Sequence, residues 1–332
     1  MTSSSRRILV TGGAGFIGSN IVAALSDRGD EVIVCDWLET EDKWKNLAKH
    51  VVTDFVDPDD LEAWLKKSDK LDAVIHMGAI SATTETDGDL ILKRNFRPTR
   101  LLWDWCTAHK ISFIYASSAA TYGDGNCGFD DDQSSDALAN LQPLNLYGYS
   151  KHAFDKFVAQ VEAKSGPTPP QWAGLKFFNV YGPNEYHKGN MKSVIAQAYP
   201  KVAKGEPVTL FKSHHPDYED GGQLRDFVYV KDCVKVILWL LETPSVSGLF
   251  NLGTGSARSF KDLALATYKA AGKDPNIQYI DTPVSIRDKY QYFTEANMQK
   301  LRAAGYGGNF YSLEDGIADY VQSYLAKEDP YL

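Results

Sequence analysis

Thr11-Gly12-Gly13-Ala14-Gly15-Phe16-Ile17-Gly18 follows an apolar run at 7–11 (RILVT) and opens a segment of helical period at 17–28. A strand that feeds a helix through Gly13-x-Gly15-x-x-Gly18 is the setting in which a glycine loop holds a pyrophosphate. Gly12 and Gly13 allow a tight turn with positive φ. Gly15 lets the backbone approach the phosphates, and Gly18 lets the helix pack close to the sheet. The start of the helix adds free N–H groups and a partial positive charge. A bland glycine-rich turn without a ligand would not call for the acid that follows, Asp36, at the end of the next apolar run, where a dinucleotide's ribose hydroxyl is received. Asp36 favours NAD. Lys43, a few residues on, could reach a 2′-phosphate and favours NADP, so spacing alone leaves both open.

Outward from this loop, apolar runs at 7–11, 31–36 (EVIVCD), 72–79 (DAVIHMGA) and 112–117 (SFIYAS) read as buried strands. Segments at 17–28, 59–67 and 90–110 read as helices between them. This alternation predicts an α/β fold, a doubly wound parallel sheet of Rossmann type with right-handed crossovers. A further helix is expected at 149–164 and a strand at 175–180 (LKFFNV). After Gly182-Pro183 the texture changes: loops lengthen at 213–222 (SHHPDYEDGG), and short strands at 208–211 and 276–281 mix with helices at 232–242, 259–271 and 313–325. The expected division is a cofactor-binding domain, 1–178 plus about 226–256, and a smaller mixed α/β substrate lobe, about 179–225 and 257–332.

Bulk properties exclude several classes. The chain has 332 residues, 43% hydrophobic and 23% charged, with a net charge of −8, which opposes a broad phosphate-backbone footprint. No nucleic acid is expected as a partner. No apolar run approaches the ~20 residues of a membrane span, so no membrane partner is expected, and residues 1–7 are too short and polar for a signal peptide. Cys35, Cys106, Cys127 and Cys233 are far apart, which argues against a disulfide framework or a zinc site and fits a reducing cytoplasm. No metal is expected.

The second informative stretch is Tyr147-Gly148-Tyr149-Ser150-Lys151, preceded by Tyr115-Ala116-Ser117-Ser118 at a strand end. On a helix, Tyr147 and Lys151 share one face. One ammonium at ~6 Å and an effective dielectric of ~20 contributes roughly 2.8 kcal/mol, about two pKa units, toward ionising a phenol that ordinarily titrates near 10. An oxidised nicotinamide would add to this and bring Tyr147 into the range of general acid-base work. Ser118, just past its strand, could hydrogen-bond the alcohol whose proton Tyr147 takes. In isolation Y-x-x-x-K is an ordinary surface pair; the upstream glycine loop and Ser118 give it a chemical reading.

In combination, TGGAGFIG, HMGAIS (76–81), YASSAATYG (115–123), YGYSK, FFNVYGP (177–183), RDFVYVKD (225–232) and FNLGTG (250–255) make the chain similar, nearly end to end, to the extended short-chain dehydrogenases that epimerise or dehydrate nucleotide sugars. The resemblance implies a cofactor site lined by Phe16, Ile17, Asp36, Trp37, Lys43, Met77, Gly78, Ala79, Ile80, Ser81, Asn95, Lys151, Val180 and Lys188. It places Asn179 and Arg225 on the nucleotide-sugar side. Dehydratases of this family carry an acid pair just after the position of Ser118; here Ala119 and Ala120 can move no proton, so oxidation followed by re-reduction is expected in place of water loss.

The segment 185–191 (EYHKGNM), with SATTETDG (81–88), LRAAGY (301–306) and DKYQYFT (288–294), resembles the ADP-glycero-manno-heptose 6-epimerases in particular. That likeness implies Lys188 as a second acid-base residue working from the opposite side of the substrate to Tyr147. It implies substrate contacts from Ser118, Asn190, Gln197, Phe211, Lys212, Ser213, His214 and Tyr290, although the 213–222 loop is several residues longer than the family's. It also implies NADP and a cytoplasmic homo-oligomer, a homopentamer. Other readings stay open: a UDP- or GDP-sugar epimerase or reductase using NAD, or a non-catalytic nicotinamide sensor, against which the joint presence of Ser118, Tyr147 and Lys151 speaks. His214-His215 is read as a loop over the substrate mouth, His76 as packing near the cofactor, and Trp103 and Trp105, two apart on a helix, as facing different ways, with a part in subunit contacts as a further use.

Overall fold

A seven-stranded parallel sheet organises the computed structural model, which describes residues 5–39, 42–68, 70–287 and 291–332. In chain order the strands are β1 (Arg7–Thr11), β2 (Glu31–Cys35), β3 (Asp54–Val56), β4 (Ala73–His76), β5 (Ser112–Ser118), β6 (Trp172–Phe177), β7 (Asn179–Tyr181), β8 (Val208–Phe211), β9 (Leu224–Arg225), β10 (Phe227–Tyr229), β11 (Gly248–Leu252), β12 (Arg258–Ser259) and β13 (Ile277–Ile280). The helices are α1 (Phe16–Asp27), α2 (Leu61–Leu65), α3 (Gly88–Ile91), α4 (Arg97–His109), α5 (Ser135–Asn140), α6 (Leu146–Ala163), α7 (Val194–Lys204), α8 (Val230–Glu242), α9 (Phe260–Ala270), α10 (Val284–Arg287), α11 (Gln299–Ala303) and α12 (Leu313–Tyr320).

The sheet order is β11-β6-β5-β4-β1-β2-β3. From β1 the chain winds one way through β2 and β3; from β4 it winds the other way through β5, β6 and β11. The reversal lies between β1 and β4, where Thr11 is in register with His76. Successive side chains of a strand point to opposite faces. Ile8, Val10 and Val34 therefore pack with α1 and α8, while Leu9, Ile33 and Val74 pack with α4 and α6. Trp103 of α4 is fully buried edge-on to Phe113, Phe154 and Trp172. Trp105 is half-buried against the edge of the same cluster, not turned away from it as expected, and stacks on His109 at 4.3 Å.

Past β6 the smaller strands pair separately: β7 parallel with β10, β8 parallel with β13, β9 antiparallel with β12. Phe16, Tyr181, Phe227, Tyr229, Ile317 and Tyr320 form a third apolar cluster there.

Several boundaries differ from the sequence expectation: the expected strand 175–180 divides between β6 and β7, which belong to different sheets, and the expected helix 313–325 turns to a π segment after Tyr320. β4 ends at His76, and 77–81 continues as irregular chain along a cleft. The 90–110 helix contains a π segment, Leu92–Phe96, before α4. α6 begins at Leu146, not 149, because the Asn145 side chain caps it by accepting the Gly148 N–H at 2.8 Å. β3 is three residues long with two of them exposed, and carries no periodicity that a sequence could announce.

Candidate active site

The glycine loop needs its glycines. Gly12 has φ +64, and a Cβ there would lie 2.6 Å from the Gly78 nitrogen; one on Gly18 would lie 2.0 Å from the Gly12 oxygen. Side chains at these positions would fill the space between β1, β4 and α1. No side chain caps α1 and no acid occupies its first turn, so its dipole and N–H groups face the cleft. His76 fastens the loop from β4. Thr99 Oγ1 donates to the Asn95 carbonyl at 2.5 Å, so His76 Nε2 must donate to Thr99 at 2.8 Å, which leaves Nδ1 to accept from Thr11 at 2.5 Å. Burial pushes the His76 imidazole down to about 3, with the Lys151 cation adding to the effect, so it is neutral.

Asp36 and Lys43 are engaged with each other. Asp36 accepts the Ala14 N–H at 2.9 Å on one oxygen, and on the other the Trp37 N–H at 2.8 Å and Lys43 Nζ at 2.9 Å. The two residues that pull toward NAD and NADP thus neutralise one another at the far end of the cleft. Beside them the Arg94 guanidinium lies 4.3 Å from the centre of the Trp37 ring.

Ser118 is the last residue of β5 rather than lying past it, and its hydroxyl accepts the Ala120 N–H at 3.1 Å. Tyr147 and Lys151, four apart on α6, line the cleft with it, and the Ser118 hydroxyl favours ionisation of the phenol. Gly148 permits this approach: a Cβ there would meet the Ala120 oxygen at 2.6 Å. The electrostatics correct the sequence argument. Desolvation outweighs the attraction of Lys151 on which the sequence expectation rested. Burial raises the Tyr147 phenol above its ordinary value, with the Ser118 hydrogen bond opposing. Burial likewise pushes the Lys151 ammonium down to about 8, with Asp155 opposing.

Lys188 lies on a 3-10 segment, Tyr186–Met191, kinked at Gly189 (φ +52), and its Nζ is 5.3 Å from the Phe16 ring centre. Burial lowers its ammonium and Glu185 opposes. Glu185 anchors the segment from below. It is fully buried and accepts from Ser193 Oγ at 2.7 Å and from the Tyr320 hydroxyl at 3.0 Å. Pairing of β7 with β10 sets Asn179 opposite Phe227; Arg225, two residues earlier at the end of β9, lines the same cleft and donates to the Gln291 carbonyl.

The glycine loop, Asp36, Lys43, Ser118, Tyr147, Lys151 and Lys188 line one cleft of about 1050 Å³ at the reversal of strand order, the usual ligand position in open parallel sheets. That is at the top of the ~300–1,000 Å³ range of small-ligand sites, with room for a dinucleotide and a second ligand. Gly12, Gly15, Phe16, Ile17, Gly18, Asp36, Trp37, Lys43, Met77 to Ser81, Ser118, Tyr147, Lys151, Asn179, Val180, Lys188 and Arg225 line it.

Seven expected residues do not. Asn95 lies behind the wall, where it accepts the Ile80 N–H at 2.8 Å and donates to the Ile80 carbonyl and the Ser150 hydroxyl, each at 3.0 Å. Gln197 donates to the Asn190 and Lys192 carbonyls at the start of α7, which keeps both Asn190 and Gln197 off the cleft. Phe211, Lys212, Ser213 and His214 follow the separate β8–β13 pair: Lys212 pairs with Asp281 at 3.3 Å, Ser213 N–H donates to Asp220, and His214 N–H donates to the Tyr292 hydroxyl. Tyr290 lies outside the described residues. Among the described residues no group of three or more His, Cys, Asp or Glu side chains is disposed to hold a metal.

The cleft also holds residues that the sequence reading left without a role, among them Arg94, His187, Phe260 and Gln291. Arg94 adjoins Asn95, and His187 lies inside the 185–191 segment, so local signals existed for these two. Phe260 and Gln291 arrive only through tertiary packing.

Comparison with known proteins fits this geometry. Residues 8–253 match the model of the NAD dependent epimerase/dehydratase family. A protein of Nitratidesulfovibrio vulgaris (strain DP4) named ADP-L-glycero-D-manno-heptose-6-epimerase is 51% identical over 328 residues, 98% of this chain and 99% of the relative. One of the same name from Fusobacterium nucleatum is 49% identical over 335 residues, 98% of this chain and 100% of the relative. Among solved structures, the Helicobacter pylori ADP-L-glycero-D-manno-heptose-6-epimerase superposes with TM-score 0.78 at 28% identity, covering 97% of each chain. The Thermus thermophilus UDP-glucose 4-epimerase in complex with NAD gives 0.72 at 29% identity, over 95% of this chain and 97% of that one.

Proposed function

We propose a function that starts from kinship: the chain belongs to the NAD dependent epimerase/dehydratase family and, within it, to the ADP-L-glycero-D-manno-heptose-6-epimerases. It is an isomerase that converts ADP-D-glycero-β-D-manno-heptose to its L-glycero epimer, in the supply of heptose for the lipopolysaccharide core. The observation that carries this reading is one cleft in which a phosphate cradle, Ser118, Tyr147, Lys151 and Lys188 meet, with Ala119 and Ala120 where an eliminating enzyme would need acids.

A bound nicotinamide cofactor supplies the hydride acceptor for oxidation at C6″ and the hydride donor for the return. Ser118 orients the C6″ hydroxyl and Tyr147 takes its proton. Burial makes an isolated charge costly on either Tyr147 or Lys151, so the charges are best formed together, phenolate beside ammonium. C6″ lies outside the pyranose ring, and rotation about its bond to the ring presents the other face of the ketone. The oxygen then points elsewhere, and Lys188, whose ammonium burial lowers, supplies a proton there in this reading.

We assign NADP as the cofactor because Lys43 can leave Asp36 for a 2′-phosphate, and we read the protein as a cytoplasmic homo-oligomer, a pentamer, in which the four cysteines stay free. Purified protein given ADP-D-glycero-β-D-manno-heptose should yield the L-glycero epimer by NMR, with no turnover of UDP-glucose or GDP-mannose. Deuterium placed at C6″ should stay in the product; its complete loss to water would overturn the hydride mechanism. The mass of the nucleotide retained on purification should be that of NADP, and NAD there would correct the cofactor assignment.

A further inference from the structure

We propose that the buried ion pair of Asp155 and Lys176 is a positioning device for Lys151, which holds the reactive helix against β5 and β6 and sets opposite charges, a carboxylate and an ammonium, one turn below the Lys151 ammonium. The inference rests on the reading of Tyr147 and Lys151 as the reacting pair.

Tyr147, Lys151 and Asp155 follow one another at four-residue steps on α6, a stripe on one helix face. The first two reach the cleft; Asp155 lies one turn deeper. Its carboxylate and the Lys176 ammonium are both wholly inaccessible to solvent, 3.0 Å apart. Asp155 also accepts from Ser117 Oγ at 2.6 Å and from the Tyr115 hydroxyl at 3.2 Å, both on β5. Lys176, on β6, donates to Thr121 Oγ1 at 2.6 Å, in the turn Ala119–Tyr122 that follows Ser118, and lies 4.8 Å from the Tyr122 ring centre. The pair therefore joins the strand end that carries Ser118 to the helix that carries Tyr147 and Lys151.

A buried ion pair is a poor device for stability alone, because apolar residues of the same volume often do as well or better. Its position suggests what else it does. The other titratable groups around it carry no charge near neutrality. His76, from β4, is driven down to about 3 and His152, on α6, to about 4, in both cases mainly by burial. Tyr115 and Tyr122 are raised by burial. Lys300 and Asp131 stand farther out toward β11, and Lys156 and Glu162 farther along α6. Asp155 is the charge that opposes loss of the Lys151 proton, and Lys176, 3.0 Å from it, is the partner that offsets its field.

Asp155→Asn, Lys176→Met and the double variant of the cofactor-loaded protein test this through two readouts: the alkaline limb of kcat, and the pH dependence of Lys151 acetylation by acetic anhydride, followed by peptide mass spectrometry. Asp155→Asn should move both midpoints down by about one pH unit and Lys176→Met should move them up by about one. The double variant should return near the parent. Where Asp155→Asn does not fold, the upward shift in Lys176→Met and its reversal in the double variant decide. Unmoved midpoints, with only a common loss of stability, overturn the inference. Lys151→Met separates the underlying reading: near-normal turnover would remove Lys151 from the chemistry, while the acetylation midpoints would still report whether the pair controls its proton.

Discussion

Gly148 shows how narrowly single residues determine this site. A methyl group on it would lie 2.6 Å from the Ala120 oxygen, a backbone atom that cannot swing aside. Gly148→Ala should therefore push α6 off the Ser118 strand end, lower kcat by ~10²-fold through misplacement of Tyr147, and cost about 1–3 kcal/mol of stability by overpacking. Steady-state kinetics beside urea unfolding would separate the two losses. Tyr147→Phe keeps the ring and removes the proton acceptor, so kcat should fall by roughly 10²–10⁴-fold with stability nearly unchanged. Lys188→Met should slow turnover less than Tyr147→Phe does; near-normal turnover of either epimer would take Lys188 out of the mechanism. The same scale holds the main error of the sequence argument. Charge attraction between Tyr147 and Lys151 can be reckoned from spacing, but desolvation of both depends on what the rest of the chain packs over them.

At the scale of elements, the start of α6 determines where the phenol stands. Tyr147 is in the first turn, and the turn exists because the Asn145 side chain satisfies the Gly148 N–H. Asn145→Ala should cost about 1 kcal/mol and also reduce kcat, since fraying would release Tyr147. Ser134→Ala, which removes the equivalent cap from α5 away from the cleft, should lower stability by a similar amount and leave kcat alone. A matched fall in kcat for both would mean that α6 is not specially sensitive. Elements also account for the expected substrate residues that stand off the cleft. Phe211 to His214 look poised over a substrate mouth in sequence, but the strand that carries them pairs with β13 and draws them to that sheet's own loop contacts.

At the scale of the whole molecule, the cleft exists because the sheet winds in two directions from β1 and β4, and burial of polar groups around that point links folding to pH. His76 binds no proton in the folded protein until about pH 3, whereas the unfolded chain takes one near 6.5. Stability from this group is therefore complete above about pH 6.5 and is lost as the pH falls toward 3, by about 1.4 kcal/mol per unit. Glu185 and Asp131, raised by burial, act in the opposite sense near their own titration. His152 and His187, lowered by burial to about 4, act in the same sense as His76, so urea unfolding should show a loss between pH 6.5 and 5 that His76→Gln reduces by about 2 kcal/mol; an unchanged slope in that variant would assign the loss to other groups. Local rules in the chain were sufficient for the parallel sheet, the glycine cradle and the Ser118, Tyr147 and Lys151 set, because period, positive-φ turns and four-residue spacing act over short stretches. Only the folded molecule decided that Asp36 and Lys43 neutralise each other, that Asn95 braces the wall from behind, that Phe260 and Gln291 complete it, and that Asp155 meets Lys176. Those outcomes depend on groups far apart in sequence competing for the same buried space, where the loss of water outweighs any preference a residue has by itself.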